Sequence, residues 1–166
     1  MTPEQRSLVM ALVVVPGRTT LSPDEFLQRF GATDGVALGF DLLCDATERH
    51  DPLDVELALV VCFKFGFSDD SLEPLITLAF ADWHQRHEDV AMALGKLRSP
   101  SVTAALVHLA EWVPGYLEFD EARALAVKAI WGLGSIGGEE ARQALESLSQ
   151  SESKVVAENA LAQLQK

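Results

Sequence analysis

Apolar positions recur along this chain at the 3.6-residue spacing of helices, in segments closed by glycine or proline, and strand-like alternation is weak throughout. The polar residues between the segments are helix-start and helix-stop chemistry. Ser22-Pro23-Asp24-Glu25 reads as an N-cap, a proline at the first helical position and acids in the first turn, with Gly31 as the stop. Asp51-Pro52 repeats that start with Gly66 as its stop; Ser99-Pro100 does so again after a helix ending near Leu97, and Ser151 to Ser153 opens the last helix. Val13-Val14-Val15 is β-branched, but it continues the apolar face that begins at Leu8 and halts at Pro16-Gly17, so it is read as helical. The pattern predicts an all-α chain of about nine or ten helices joined by short connections, hence antiparallel neighbours.

Internal repetition sharpens this. Ala93-Leu94-Gly95-Lys96-Leu97-Arg98-Ser99-Pro100 is answered 39 residues later by Gly132-Leu133-Gly134-Ser135-Ile136-Gly137-Gly138-Glu139. At the same offset Ala104-Ala105-Leu106 is answered by Gln143-Ala144-Leu145, and Leu109 by Leu148. A third copy of the first-helix pattern runs from Ala157 to Leu164, and a weaker one precedes them at Cys62 to Gly66 with Leu72, Leu75, Ile76 and Leu78. Small residues at Ala91, Ala93, Gly95, Ala129, Gly132 and Gly134 predict close helix approach, with leucine and isoleucine filling the seams. A helix pair of this kind cannot bury its faces alone and must stack.

The segments Val90 to Leu109 and Val127 to Leu148 resemble the short bacterial HEAT-like repeat of the phycobilisome-lyase type. Leu133-Gly134-Ser135-Ile136-Gly137 matches its helix end well, whereas residues 94–100 carry Arg98 in place of glycine. The resemblance implies an α-solenoid of HEAT-like antiparallel helix pairs. Residues 51–166 would be one continuous repeat domain, and residues 1–50 divergent helices capping the array. A narrower likeness rests on Ala81-Asp82-Trp83-His84-Gln85-Arg86-His87-Glu88-Asp89-Val90, Tyr116-Leu117 and Ala129-Ile130-Trp131-Gly132-Leu133-Gly134. It is to small bacterial HEAT-like proteins associated with polymorphic-toxin neighbourhoods, and it implies an immunity-type role.

Charge narrows the choice of partner. The 166 residues carry 25 acidic against 13 basic side chains, a net charge of −12, and 48% of them are apolar. Acidity leans toward the first half, with 13 acids and 5 bases up to Phe80. Such a charge repels phosphate backbones, so no nucleic acid is expected and a basic protein partner is, although acidity also serves solubility. Cys44 and Cys62 lie in apolar helical runs and read as buried, reduced thiols of a cytosolic protein. The apolar run from Leu8 to Val15 is short, follows Glu4 and lacks a cationic start and cleavage site. No stretch approaches a bilayer span, so no membrane association is expected and cytoplasm is the default.

Two constellations stand out. Trp83-His84-x-x-His87-Glu88-Asp89 reads first as an inter-helix corner, with His84 in a closing turn and Glu88 and Asp89 opening the next helix, placements worth roughly 0.3–1 kcal/mol each. A partner-binding hot spot and a metal site using His84, His87 and Glu88 are the alternatives. Trp112 to Glu121 is an insertion holding three aromatics among acids, which suits either an interface or a flap covering the edge of the stack. Trp131 reads as core between repeats, His108 as a satisfied edge histidine and His50 as a helix-end residue. No nucleophile elbow, phosphate loop or dinucleotide fingerprint occurs, so no catalytic residue, cofactor or metal is expected.

The reading is a non-catalytic protein-interaction module, monomeric on its own, of the immunity type that neutralises a cationic toxin. Its alternative is a scaffold or a lyase-like accessory subunit of an enzyme complex. The expected contact residues are Asp69, Asp70, Glu73, Trp83, His84, His87, Glu88, Trp112, Tyr116, Glu118 and Asp120. In HEAT pairs second helices line the concave side, so the resemblance adds Glu111, Glu139, Glu140 and Glu146 to an acidic groove.

Overall fold

The computed structural model describes residues 1–14, 16–17 and 19–166, and among them all regular structure is helical. Ten α-helices follow in order: α1 (Pro3–Met10), α2 (Pro23–Phe30), α3 (Gly35–Glu48), α4 (Pro52–Phe65), α5 (Leu72–Phe80), α6 (His87–Leu97), α7 (Thr103–Glu111), α8 (Ala124–Ile136), α9 (Gly138–Leu148) and α10 (Lys154–Leu164). Short 3-10 turns at Asp69–Ser71, Pro100–Val102 and Gly115–Leu117 join some of them.

The starts follow from their caps. Ser22 and Glu25 form a reciprocal capping box with Pro23 at the first position, and Gly31 closes α2 in the left-handed conformation (φ 82°) that glycine adopts without cost. Thr2 and Gln5 form a second capping box at α1. Asp51 accepts from the Asp54 amide ahead of α4, and Asp34 accepts from Val36 and Ala37 ahead of α3.

One helical expectation fails. The run from Leu8 is helical only to Met10; Val13 and Val14 lie beyond α1, and Val14 is 80% exposed. β-Branched side chains lose rotamer freedom in a helix, and Val14 gains little burial to offset it. Val15 lies outside the described residues.

By packing the chain divides into residues 1–74 and 75–166. In the first unit α3 and α4 pack extensively on each other, so a division after residue 50 would pass between close partners. Its core gathers Val9, Leu12, Phe26, Leu57 and Val61. Phe26 stacks on Phe65 with ring centroids 5.7 Å apart. Gly35 lies against the Phe65 side chain, where a Cβ would collide with the ring, and Gly39 lies close against Cys62.

In the second unit α8 packs against α6, α7, α9 and α10. Ala93, Leu94, Leu106, Leu109, Ala129, Ile130, Leu133 and Ala160 are fully buried along these seams. The small-residue pattern finds its use at Gly95 and Gly132, where a Cβ on Gly95 would lie 2.9 Å from the Gly132 Cα. Among the described residues, no helix is long and apolar enough to cross a membrane.

Candidate functional site

The segment Trp83–Asp89 is a corner. Helix α5 ends at Phe80 and α6 begins at His87, with Glu88 and Asp89 in its first turn. Both histidines are buried, His84 at 1% and His87 at 0% exposure. The Nε2–H of His84 donates to the Leu78 carbonyl (2.8 Å), and its Nδ1 accepts from the Arg86 amide (3.0 Å). His87 repeats the arrangement. A carbonyl only accepts, so its Nε2 carries the proton toward Ala81 O (2.7 Å), and Nδ1 accepts the Tyr116 hydroxyl (2.9 Å).

The two imidazoles stack with centroids 4.1 Å apart. Burial lowers the pKa of His84 against the opposing hydrogen bond to Leu78. For His87 burial is again the largest cause; the Ala81 carbonyl opposes it, His84 and His108 add to it, and the value falls to about 4. Both rings are therefore neutral at pH 7.

This corrects part of the expected contact set. His84 and His87 are buried with both ring nitrogens engaged, so neither imidazole is presented at the surface. Nor can they serve a metal with Glu88, whose carboxylate pairs instead with Lys128 across on α8. Among the described residues, no group of three or more histidine, cysteine, aspartate or glutamate side chains is placed to hold a metal ion. The dipole argument for His84 also changes, because it satisfies the end of α5 as a neutral donor rather than as a cation.

The histidine pair anchors the acidic insertion. Trp112 meets His87 edge-on (4.8 Å between centroids) and stacks on His108 (5.3 Å), which in turn stacks on Phe80 (4.6 Å). Burial raises the Tyr116 phenol above its ordinary value despite the hydrogen bond to His87, so the phenol remains a donor. Asp120 ties down the far end, its Oδ1 accepting from the Ala122 amide and its Oδ2 from the Ala124 amide at the start of α8 (2.7 Å). Between these anchors Phe119 is 88% exposed, the most exposed large apolar side chain described, with Glu118 and Glu121 exposed beside it.

Trp83 and Glu88 are half-buried, Tyr116 is 37% exposed, and Glu111, Glu139, Glu140 and Glu146 are exposed on the same unit. Asp69, Asp70 and Glu73 are exposed on the first unit. Phe119 was visible in the sequence as one of three aromatics, but nothing in the spacing marked it as the one left outside. Trp131, expected as core, is 56% exposed because it lies on the face of α8 away from the buried Ala129, Ile130 and Leu133.

A polar cluster in the first unit went unread. Buried Asp54 accepts from Arg6 Nε (2.7 Å), from Arg49 Nη2 (2.6 Å) and from the Met1 amino group, while Asp51 accepts from both arginines. Burial pushes the Asp54 carboxyl up, but these donors outweigh it and bring it to about 2. Every partner is internal, which makes the cluster structural. Of the two cysteines expected to be buried, Cys62 is and Cys44 is only half-buried; burial raises both thiols and pushes Cys62 up to about 12.

Residues 125–151, which run from the first turn of α8 through α9, match the family described as PBS lyase HEAT-like repeat. No curated protein and no solved structure matches the chain. The match supports the HEAT-like repeat as the family of the α8–α9 pair, and with it a protein-interaction or scaffold role.

Proposed function

We propose that this protein is a non-catalytic binding module that engages a basic protein through the acidic insertion at residues 112–121, in the manner of an immunity protein blocking a cationic toxin. The observation that carries the reading is the exposed Phe119 held between carboxylates on a loop fixed at both ends. Aromatic anchors with a charged rim concentrate binding energy, and a pre-ordered loop spares the entropy of ordering on contact. The net charge of −12 favours fast, salt-sensitive association with a cationic surface. Steric cover of a basic active site would then be the inhibitory step.

The test is co-expression with the product of the adjacent gene. Neutralisation predicts that its toxicity disappears and that the two proteins purify together. Undiminished toxicity beside abundant folded protein would sink the immunity role.

A second reading, a scaffold or accessory subunit of an enzyme complex, has the PBS lyase repeat match in its favour. It predicts retention of a larger assembly, with no effect on any toxin.

A further inference from the structure

In this acidic chain a hollow is lined by three cations and by no acid. It lies in the second unit between α6 and α8, with a volume of about 580 Å³. Its floor is backbone, because Gly95 and Gly132 meet there without side chains. Met92 and Trp131 form apolar walls, 38% and 56% exposed, and the Trp131 indole is steadied by a hydrogen bond to Asn159 (3.3 Å). Lys96, Arg98 and Lys128 stand around it. Lys128 is already paired with Glu88, whereas among the described residues Lys96 and Arg98 have no ion pair.

Arg98 stands at the C-cap of α6, at the rim of the hollow. It closes α6 in the left-handed conformation (φ 50°, ψ 27°), whereas Gly137 closes α8 at the equivalent position in a different backbone conformation (φ 68°, ψ −167°). Glycine reaches the left-handed region freely, while a side chain is strained in it.

We infer that this hollow docks an acidic segment of another protein, an apolar side chain seated on the glycine floor against Trp131 and Met92 and carboxylates reaching Lys96 and Arg98. The charge complementarity is opposite to that of the Phe119 loop, so the two surfaces take different partners and this site does not depend on the reading of that loop. A guanidinium fork suits a carboxylate bidentately, which gives Arg98 a role that lysine would fill less well.

Fluorescence anisotropy tests the inference on the full chain at low salt. Three sets of labelled peptides are compared: a central Phe, Trp or Leu flanked by glutamates, the same anchors flanked by lysines, and an alanine in place of the anchor. Glutamate-flanked anchored peptides are expected to bind at least tenfold more tightly than either control set. Arg98→Gly and Lys96→Glu should each weaken them at least tenfold. Phe119→Ala should leave them unchanged, which separates this site from the proposed toxin contact. Arg98→Gly should melt no lower than wild type, so that its loss of binding is not a loss of fold. Absence of binding at millimolar peptide, equal binding of the lysine set, or full affinity in both charge variants would overturn the inference. So would sedimentation showing that Arg98 instead holds a second copy of the chain.

Discussion

The hydroxyl of Tyr116 donates to Nδ1 of His87 across 2.9 Å, joining the insertion after α7 to the corner before α6. It ties the loop to a buried group, with the hydroxyl as donor because the Ala81 carbonyl already holds the proton of His87 on Nε2. Removing it leaves a buried acceptor unsatisfied, at a cost of about 1–3 kcal/mol. Tyr116→Phe is therefore expected to lower stability in urea by about that amount and to increase amide exchange across residues 115–121. Unchanged stability and exchange would show that the loop is held by its aromatic stacking alone.

Acid should act on the same pair. An unfolded histidine titrates near 6.5, while folded His87 titrates at about 4, so the unfolded chain takes up a proton that the folded chain refuses. Stability is then complete above about pH 6.5 and falls as pH drops toward about 4, by on the order of 3 kcal/mol for a shift of this size. His84, whose pKa moves in the same direction, adds to the fall. Urea denaturation between pH 7 and 4 measures it, and His87→Gln should flatten the curve. An equal slope in that variant would remove His87 as the cause.

Asp54 works in a lower window with the opposite sign. Its folded value of about 2 lies below the ordinary 3.8, so its contribution is present above about pH 4 and is lost as pH falls through about 2. Asp54→Asn leaves Arg6 and Arg49 without their shared carboxylate. Because both guanidinium groups are partly exposed and remain hydrated, the expected loss is toward the lower end of the range for a broken buried pair, about 3 kcal/mol. A loss below 1 kcal/mol on chemical denaturation would contradict the account.

Two glycines of α8 and α6 make opposite predictions. Alanine ordinarily stabilises a helix interior by about 1 kcal/mol over glycine. Gly95→Ala would place its methyl 2.9 Å from the Gly132 backbone, which cannot yield, so that gain reverses and the α6–α8 seam opens. Gly134→Ala meets only the amide end of Gln163, a flexible side chain, and should be neutral or stabilising. Melting temperatures of the two variants check the contrast. Equal behaviour would mean that the close approach at Gly95 is not what joins these helices.

The helices were legible because their signals are local. A cap at Ser22, a proline at Pro52 or a repeated Leu-Gly pattern near Gly134 needs no knowledge of what lies across from it. The corner at Trp83–Asp89 was legible for the same reason, through acids suited to a helix start. What stayed hidden was relational. His84 and His87 look like ligands in sequence, and only their partners at Leu78, Ala81, Arg86 and Tyr116 show that their lone pairs and protons are spent. Phe119 is exposed because Trp112 and Tyr116 on one side and Asp120 on the other are tied down, which is a property of the loop and not of the residue. Trp131 was misread as core because its flanking small and apolar residues are core; the face it occupies depends on where α6 and α10 dock. Asp54 is paired with residues about 50 positions earlier, a separation that no local pattern reports.

The insertion at residues 112–121 is the proposed contact surface for a basic protein. The most direct measurement is affinity purification from the native host at low salt, with wild-type protein, Phe119→Ala and Glu118→Lys run side by side and their folds checked by melting. One basic protein is expected to be retained near one-to-one by wild type and released as salt rises, its binding weakened at least tenfold by either substitution without a change in melting temperature. Equal recovery of that protein by all three would contradict the proposal.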